Sequence, residues 1–402
     1  MSALLEAWLE GHHIGQFVFT GTTVEFRYDR DAPSTPVSLS LPRDGHAPRR
    51  AAARFLENLL PDHATARAHM ASAYGARSTS TYDLLATAGG DVAGGLVLVP
   101  EGEPAPTGPA LLSPALDRDV AGRIHAIKVD PDAWAPPDVP ARFSLAGTQG
   151  KFALARLGDD WYWSNASVPS THIVKPGRPG LRGLEAAEAA ALTLAARAGV
   201  RAPAAKVLHM EDQTAFVVER FDRAPGPGLL ARRLHAEDFA QALGLAPGSK
   251  YHVSARQAAA LLTSVDTDGS LVRAFLGQLA FNTVVGNVDA HAKNYSVLLR
   301  PDAVRPAPLY DVVPVALYPQ FSQELAMRVA GARHPGAASA DHWRKLARTI
   351  GVDEDAAVEV VWRTATNVAE LNDTAWEDLD DDQAATLRQV VGRHTDAVLR
   401  RR

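Results

Sequence analysis

The 402-residue chain has no cysteine, which excludes disulfides, thiolate metal sites and a cysteine nucleophile, and suits a cytoplasmic protein. It has no run of about 18 apolar residues, so no membrane span is expected. The Met1 to Glu10 stretch is short, carries two acids and does not read as a signal peptide. There is no excess of positive charge: the net charge of −5 gives no general attraction to nucleic acid. A Walker A motif is missing, as is the three-glycine kinase loop, and no repeat of constant period occurs. What remains is ordinary globular composition, 46% hydrophobic and 22% charged, at a length that suggests two or three domains.

The most informative stretch is 275–299. Phe275, Leu276, Leu279, Phe281 and Val285 predict a buried helix, and Gly286-Asn287 a helix stop. A polar loop, Asp289 to Asn294, leads into a β-type run from Tyr295 to Leu299. Helix, polar loop and strand are the layout of a phosphotransferase catalytic loop. There an Asp takes or orients the proton of the attacking hydroxyl, and an Asn five positions on holds Mg²⁺. Asp311 lies 17 residues beyond Asn294, room for one hairpin turning at Arg300-Pro301-Asp302, and that return would place it beside Asn294. One Asn, one Asp and ATP phosphates are hard oxygen ligands of the kind Mg²⁺ prefers. The bland alternative is a Gly-Asn turn followed by solvated polar residues.

Upstream, residues 1–30 alternate as an antiparallel meander with turns at Gly11-His12-His13 and Gly21-Thr22, the two histidines reading as solvated. A further alternating strand is expected over 37–42, helices over 51–60, 61–76 and 82–88, and a closing strand over 94–99. The proline-rich stretch 106–140 reads as a linker with a short strand or helix inside it. Residues 143–156 are strand-like around a small-residue turn whose backbone N–H groups could cradle phosphates, although a plain hairpin explains them too. Lys175 ends a predicted strand. Glu185 and Glu188 lie one turn apart on a helix from Leu184 to Gly199. A strand lysine paired with a helical glutamate is the usual companion of a catalytic-loop Asp, but each also reads as a surface charge. Glu219-Arg220-Phe221 ends a hairpin where a kinase chain would cross between lobes. Helices are expected over 236–245, 255–265, 339–351, 353–371 and 383–402. Asp380-Asp381-Asp382 sits at the start of the last, where acids suit the helix dipole.

Taken in order, several segments resemble the HipA-type serine/threonine kinases, the toxin half of bacterial toxin–antitoxin pairs. They are Val37 to Pro42, Phe55 to Asp62, Tyr82 to Leu85, Ser144 to Lys151, Thr171 to Lys175, Val218 to Arg223, Glu237 to Leu245, Lys250-Tyr251 and, most specific, Gly286 to Asn294. The resemblance implies an α+β, two-lobed protein-kinase-like fold with an N-terminal α+β subdomain (1–105), a kinase N-lobe (141–223) and a mostly helical C-terminal lobe (224–402), with ATP and Mg²⁺ between the lobes. It implies Asp289 as catalytic base with His291 in the same loop, and Asn294 and Asp311 as Mg²⁺ ligands. An ATP site would be built from Ala146, Gly147, Thr148, Gln149, Gly150, Lys151, Lys175, Glu188, Glu219, Arg220, Phe221, His291, Lys293, Asn294, Tyr310 and Asp311. Ser144 matches the autophosphorylated serine. The family often has an acidic residue where Gly150 stands. The implied partners are a HipB-like helix-turn-helix antitoxin, which carries the DNA contact, and a protein substrate such as an aminoacyl-tRNA synthetase. Two rivals remain: an aminoglycoside-type small-molecule phosphotransferase, which lacks such an N-terminal region, and a non-catalytic ATP-binding corepressor.

Overall fold

The computed structural model describes residues 3–400 apart from 22, 138 and 140, so Thr22 of the predicted turn and Pro140 of the predicted linker lie outside the described residues. The chain divides into two compact units. The first is Met1–Arg178, Leu208–Gly248 and Leu298–Ala303; the second is Pro179–Val207, Ser249–Val297 and Val304–Arg402.

In the first unit, β1 (Ala3–Leu9) buries Leu5, Ala7 and Leu9 and leaves the residues between them part-exposed, the two-residue period of a half-buried strand. β2 (His12–Thr20) and β3 (Thr23–Tyr28) continue the antiparallel meander. Helices α1 (Ala51–Glu57), α2 (Ala64–Tyr74) and α3 (Thr81–Ala88) precede β4 (Leu96–Pro100), which returns beside β1 to give the order β3-β2-β1-β4. Phe17, Phe55, Leu56, Leu59, Leu84 and Leu85 form the shared core. Two expectations fail here. His13 is not solvated: it lies 2.6 Å from Asp29 and 2.7 Å from Glu6. Partial burial lowers its pKa, but the two carboxylates outweigh that and leave it raised. Residues 37–42 do not form a strand. They make a tight turn bridged from Ser38 to Leu41, because Ser38 and Ser40 both point inward to polar partners instead of alternating.

The proline-rich stretch contains a 13-residue helix, α4 (Asp117–Val129), with Asp117 and Asp119 in its first turn. Its Val120, Ile124 and Ile127 pack with Phe143, Phe152 and Trp163, so this part of the stretch belongs to a core. That core backs an antiparallel sheet containing β5 (Phe152–Leu157), β6 (Asp160–Trp163) and β7 (His172–Pro176). Helix α5 (Leu184–Arg197) follows in the chain, and then β8 (Ala205–Met210) and β9 (Gln213–Glu219) complete the order β6-β5-β7-β9-β8. A short hairpin follows, β10 (Arg223–Pro225) with β11 (Ala231–Arg233). The helix expected over 236–245 shrinks to β12 (Ala236–Asp238) and the single turn α6 (Phe239–Ala242). Asp238 is the reason: its carboxylate accepts the Gln241 N–H at 2.9 Å, which makes it an N-cap and keeps the residues before it extended.

The second unit is mostly helical: α5, α7 (Ala255–Thr263), α8 (Ser270–Val285), α9 (Ala340–Ile350), α10 (Glu354–Leu371) and α11 (Asp381–Leu399). α10 packs against α5, α8, α9 and α11. Asp380 caps α11 by accepting the Gln383 N–H at 3.0 Å, the structural role expected for that acidic run. Strands β13 (Ser296–Leu299) and β14 (Val304–Pro306) form the hairpin expected after the polar loop, its turn closed by Arg300 N–H to Ala303 C=O at 3.0 Å. Among the described residues no helix is long and apolar enough to cross a membrane.

Two buried polar clusters tie the first unit together. Asp91, fully buried, lies 2.8 Å from Arg223, 3.3 Å from Arg233 and 3.7 Å from Arg220; Asp222 pairs with Arg220 at 2.7 Å. Burial alone would raise the Asp91 and Asp222 pKa values, but the guanidinium groups hold both well below the carboxylate range. In the second cluster Glu237 accepts the Leu39 N–H at 2.8 Å and lies 2.5 Å from Ser38 Oγ, while Ser40 Oγ donates to Gln241 C=O at 2.7 Å. Burial pushes the Glu237 pKa up to about 8, against the lowering by its hydrogen bonds.

Asp91→Asn leaves buried guanidinium groups uncompensated and is expected to lower stability by about 3–5 kcal/mol, read from urea unfolding. Glu237 keeps its proton in the folded chain to about pH 8, but loses it near 4.5 when unfolded. Its contribution is therefore fully present below pH 4.5 and is lost as pH rises towards 8. Glu237→Gln should remove that component, visible as a pH-dependent difference between the two unfolding curves across this window and a flat difference above it.

Candidate active site

The catalytic-loop candidates all belong to the second unit and are held from below by α8. This helix buries residues all round, including Gln278, Asn282 and Thr283. It stops at Gly286, whose φ of 75° is left-handed, with Gly286 N–H to Thr283 C=O at 3.2 Å and Asn287 N–H to Asn282 C=O at 2.8 Å. The predicted stop is therefore a glycine C-cap. Its polar side chains continue the support. Asn287 Nδ2 donates to Asn282 Oδ1 at 2.9 Å and to the backbone carbonyl of Asp311 at 3.1 Å, and Asn282 Nδ2 donates to the Tyr295 hydroxyl at 3.1 Å.

Above this floor the loop folds on itself. His291 N–H donates to Asp289 C=O (2.7 Å) and to Asn294 Oδ1 (3.1 Å), and Asn294 N–H donates to His291 C=O (2.9 Å). Asn294 Nδ2 donates to Asp311 Oδ2 at 2.5 Å, so the hairpin does return Asp311 to Asn294. Asp311 holds φ 59°, a left-handed conformation that costs a non-glycine residue about 1–3 kcal/mol and persists only where its surroundings impose it. Tyr310 clamps the same turn, its hydroxyl 2.6 Å from Ser296 Oγ and donating to Lys293 C=O at 2.8 Å. Among the described residues no group of three or more His, Cys, Asp or Glu could hold a metal. Asn294 turns its amide nitrogen to the Asp311 carboxylate and its oxygen to the His291 N–H, so of the two residues Asp311 supplies the hard oxygens, and Mg²⁺, which takes few protein ligands, would need the Asn294 amide turned to add a second ligand.

The two titratable groups of the loop are set differently. Asp289 is open to solvent at the surface, yet the protein around it removes enough water to raise its pKa; Asp311 raises it further, while the Tyr251 hydroxyl and Lys250 lower it. His291 is buried, and burial with Lys250 nearby pushes its pKa down to about 4, so the imidazole is neutral at neutral pH. Its Nδ1 has no hydrogen-bond partner among the described residues. Lys250 and Tyr251 were motif residues without a role. The structure sets Tyr251 Oη 3.0 Å from Asp289 Oδ1 and its ring edge-on to His291 at 4.9 Å. Nothing in the sequence pairs Tyr251 with Asp289; the half-exposed ring beside a buried Lys250 appears only in the fold.

The remaining candidates divide between the units. Glu188 is buried on α5 in the second, not a surface charge. Lys175, on β7 of the first, is also buried, its Nζ 5.3 Å from the Phe216 ring centroid. Residues Ala146 to Lys151 form an irregular turn in the first unit, closed by Lys151 Nζ to Ala146 C=O at 2.8 Å and by Asp62 N–H to Gly147 C=O at 3.0 Å. Thr148 is exposed, and Gln149 donates to Pro176 C=O at 3.3 Å. Gly150 has a packing reason: a Cβ there would lie 2.6 Å from both Ile127 Cγ2 and Pro131 O, so this conformation has no room for an acidic side chain. Ser144 is fully buried, its Oγ donating to Leu59 C=O at 2.7 Å and its N–H to Asp91 C=O at 3.0 Å. Glu219 is exposed and Phe221 half-buried. The Arg220 side chain is committed to Asp222, Ser170 and Val92, which leaves only its backbone for a nucleotide.

The comparisons with known proteins show the family. The family model for the HipA-like C-terminal domain matches residues 143–371, and that for the HipA N-terminal domain matches residues 5–99. The chain belongs to the HipA family. It is 29% identical over 387 residues to the serine/threonine-protein kinase toxin HipA of Shewanella oneidensis, covering 90% of this chain and 87% of that protein. It is 32% identical over 391 residues to Y4mE of Sinorhizobium fredii, covering 91% and 89%. The solved structure of Shewanella oneidensis HipA with HipB and its operator DNA matches with a TM-score of 0.84 at 28% identity, over 98% of this chain and 97% of that one. The α+β kinase-like fold expected from the sequence is thus the fold observed.

Asn287→Ala should remove both the brace beneath Asp311 and the partner of Asn282, lowering stability by about 1–3 kcal/mol in denaturant unfolding.

Proposed function

We propose that this chain is an ATP-dependent serine/threonine-protein kinase acting as a growth-arrest toxin. The observation that carries the reading is the loop itself. Asp289 is open to solvent five residues before Asn294, which is bonded to an Asp311 held in a strained conformation. In the reaction Asp289 orients the acceptor hydroxyl and takes its proton. The hydroxyl oxygen bonds to the γ-phosphorus in line as the bond to the ADP oxygen breaks, and ADP leaves with that electron pair. Asn294 and Asp311 would hold Mg²⁺, which when bound neutralises phosphate charge. Neutral His291 supports the loop through its backbone rather than serving as a proton donor. In the first unit Lys175 and the N–H groups of 146–151 would meet ATP phosphates and the Glu219 to Phe221 backbone would face adenine; in the second, Glu188 is the candidate charge partner of a phosphate-binding lysine. His291, Lys293 and Tyr310 would border the nucleotide from the loop.

The acceptor in this reading is a protein, with aminoacyl-tRNA synthetases the class that the family resemblance suggests. A HipB-like antitoxin is the proposed partner, because the solved relative is complexed with HipB and operator DNA; DNA contact would then be indirect. The match to the HipA N-terminal domain favours this over a small-molecule phosphotransferase. Ser144 is the proposed autophosphorylation site. Its Oγ is buried against Leu59 C=O, and a phosphate of about −2 charge cannot keep that place, so modification would drive the 144–151 segment out and silence the enzyme.

Incubation with Mg·ATP followed by intact mass measurement tests this. Wild type should gain one phosphate, Ser144→Ala none, and Asp289→Asn should slow incorporation by about 10²- to 10⁴-fold. Equal incorporation by wild type and Asp289→Asn would sink the assignment of the base.

A further inference from the structure

Asp289 stands on the surface, and a carboxylate there rotates freely unless something holds it. The structure supplies a holder from a different segment. Tyr251 lies in the 3-10 turn Pro247–His252, and its hydroxyl donates to Asp289 Oδ1 at 3.0 Å. Among the described residues Asp289 Oδ2 accepts no hydrogen bond. The ring is fixed on two sides: edge-on to His291 at 4.9 Å and 82°, and with Lys250 Nζ 5.4 Å from its centroid. The backbone behind it is anchored by buried Val253 and by Ser254, whose Oγ accepts the Gln257 N–H as the cap of α7. Yet Tyr251 itself is 50% exposed, so core packing does not account for a tyrosine at this position. Phenylalanine would make the same contact with His291.

We propose that Tyr251 is the positioning residue for Asp289. Its hydroxyl occupies Oδ1 and fixes the carboxylate rotamer, which dedicates Oδ2 to the incoming serine or threonine hydroxyl. The exposed part of the ring forms a wall along which the acceptor segment lies. The proposal rests on the kinase reading, with Asp289 as base.

The test is steady-state kinetics with Mg·ATP, using a synthetic peptide of residues 142–156 as acceptor and phosphate release to water measured alongside. Wild type, Tyr251→Phe, Tyr251→Leu and Asp289→Asn are compared. Tyr251→Phe should leave KM for ATP unchanged and lower kcat about tenfold. It should also move the acid limb of the kcat profile to higher pH, because ionised Asp289 loses a donor. The other groups acting on Asp289, Asp311 and Lys250, and the neighbouring His291 are unchanged in this variant. Tyr251→Leu should in addition raise KM for the peptide but not for ATP. A Tyr251→Phe enzyme matching wild type in kcat and acid limb overturns the proposal, as does a kcat loss with an unmoved acid limb, the mark of a structural role. Wild type no faster than Asp289→Asn removes the kinase reading and the proposal with it, a result distinct from a normal Tyr251→Phe in an active enzyme.

Discussion

Buried charge at Asp91 is the constraint on which the first unit depends. One carboxylate, with no access to water, answers Arg220, Arg223 and Arg233, and Asp222 shares two of those arginines. Such a cluster is stable only when complete, since each missing partner leaves an unpaired buried charge. It joins the segment before β4 to the end of β9 and to the β10–β11 hairpin, more than a hundred residues later. The backbone of the same residue accepts the Ser144 N–H. The position of the phosphate-loop candidate is thus coupled to the neutralisation of three arginines.

The candidate catalytic loop rests on a different principle, local geometry enforced from beneath. Gly286 allows the chain to leave α8 in a left-handed turn, and Asn287 then reaches both back to Asn282 and forward to the Asp311 backbone. An aspartate at φ 59° is not a conformation the chain adopts without support. Asn287, Tyr310 and the Asn294 amide supply that support: Asn294 gives its N–H to the Asp311 carboxylate while its oxygen accepts the His291 N–H. Rigidity of this kind places charged groups before any ligand arrives, which is what phosphoryl transfer asks of a protein.

Much of the loop was legible in the sequence because its determinants are local. The apolar residues of α8, the Gly-Asn stop, the Asp289 to Asn294 spacing and the hairpin length to Asp311 all act within about forty residues. Elsewhere, local pattern misled. Residues 37–42 alternate like a strand, but Glu237 and Gln241 turn both serines inward. His13 looked like a turn residue until Glu6 and Asp29 closed on it from β1 and the end of β3. Proline-rich composition allowed a short helix or strand within 106–140 but hid that α4 packs into a core through Val120, Ile124 and Ile127.

The sequence by itself determined most elements, with 37–42 and 236–245 the exceptions, and the order of residue types in the candidate loop, because capping, periodicity and spacing are properties of neighbours along the chain. Only the tertiary structure decided the roles that need partners from afar. It committed the Arg220 side chain to Asp91 and Asp222 rather than to a nucleotide, left no room for a side chain at Gly150, and brought Tyr251 to Asp289 from 38 residues away. Hydrogen bonds and ion pairs act over about 3 Å, and no regularity in sequence separation records which distant groups come within that reach.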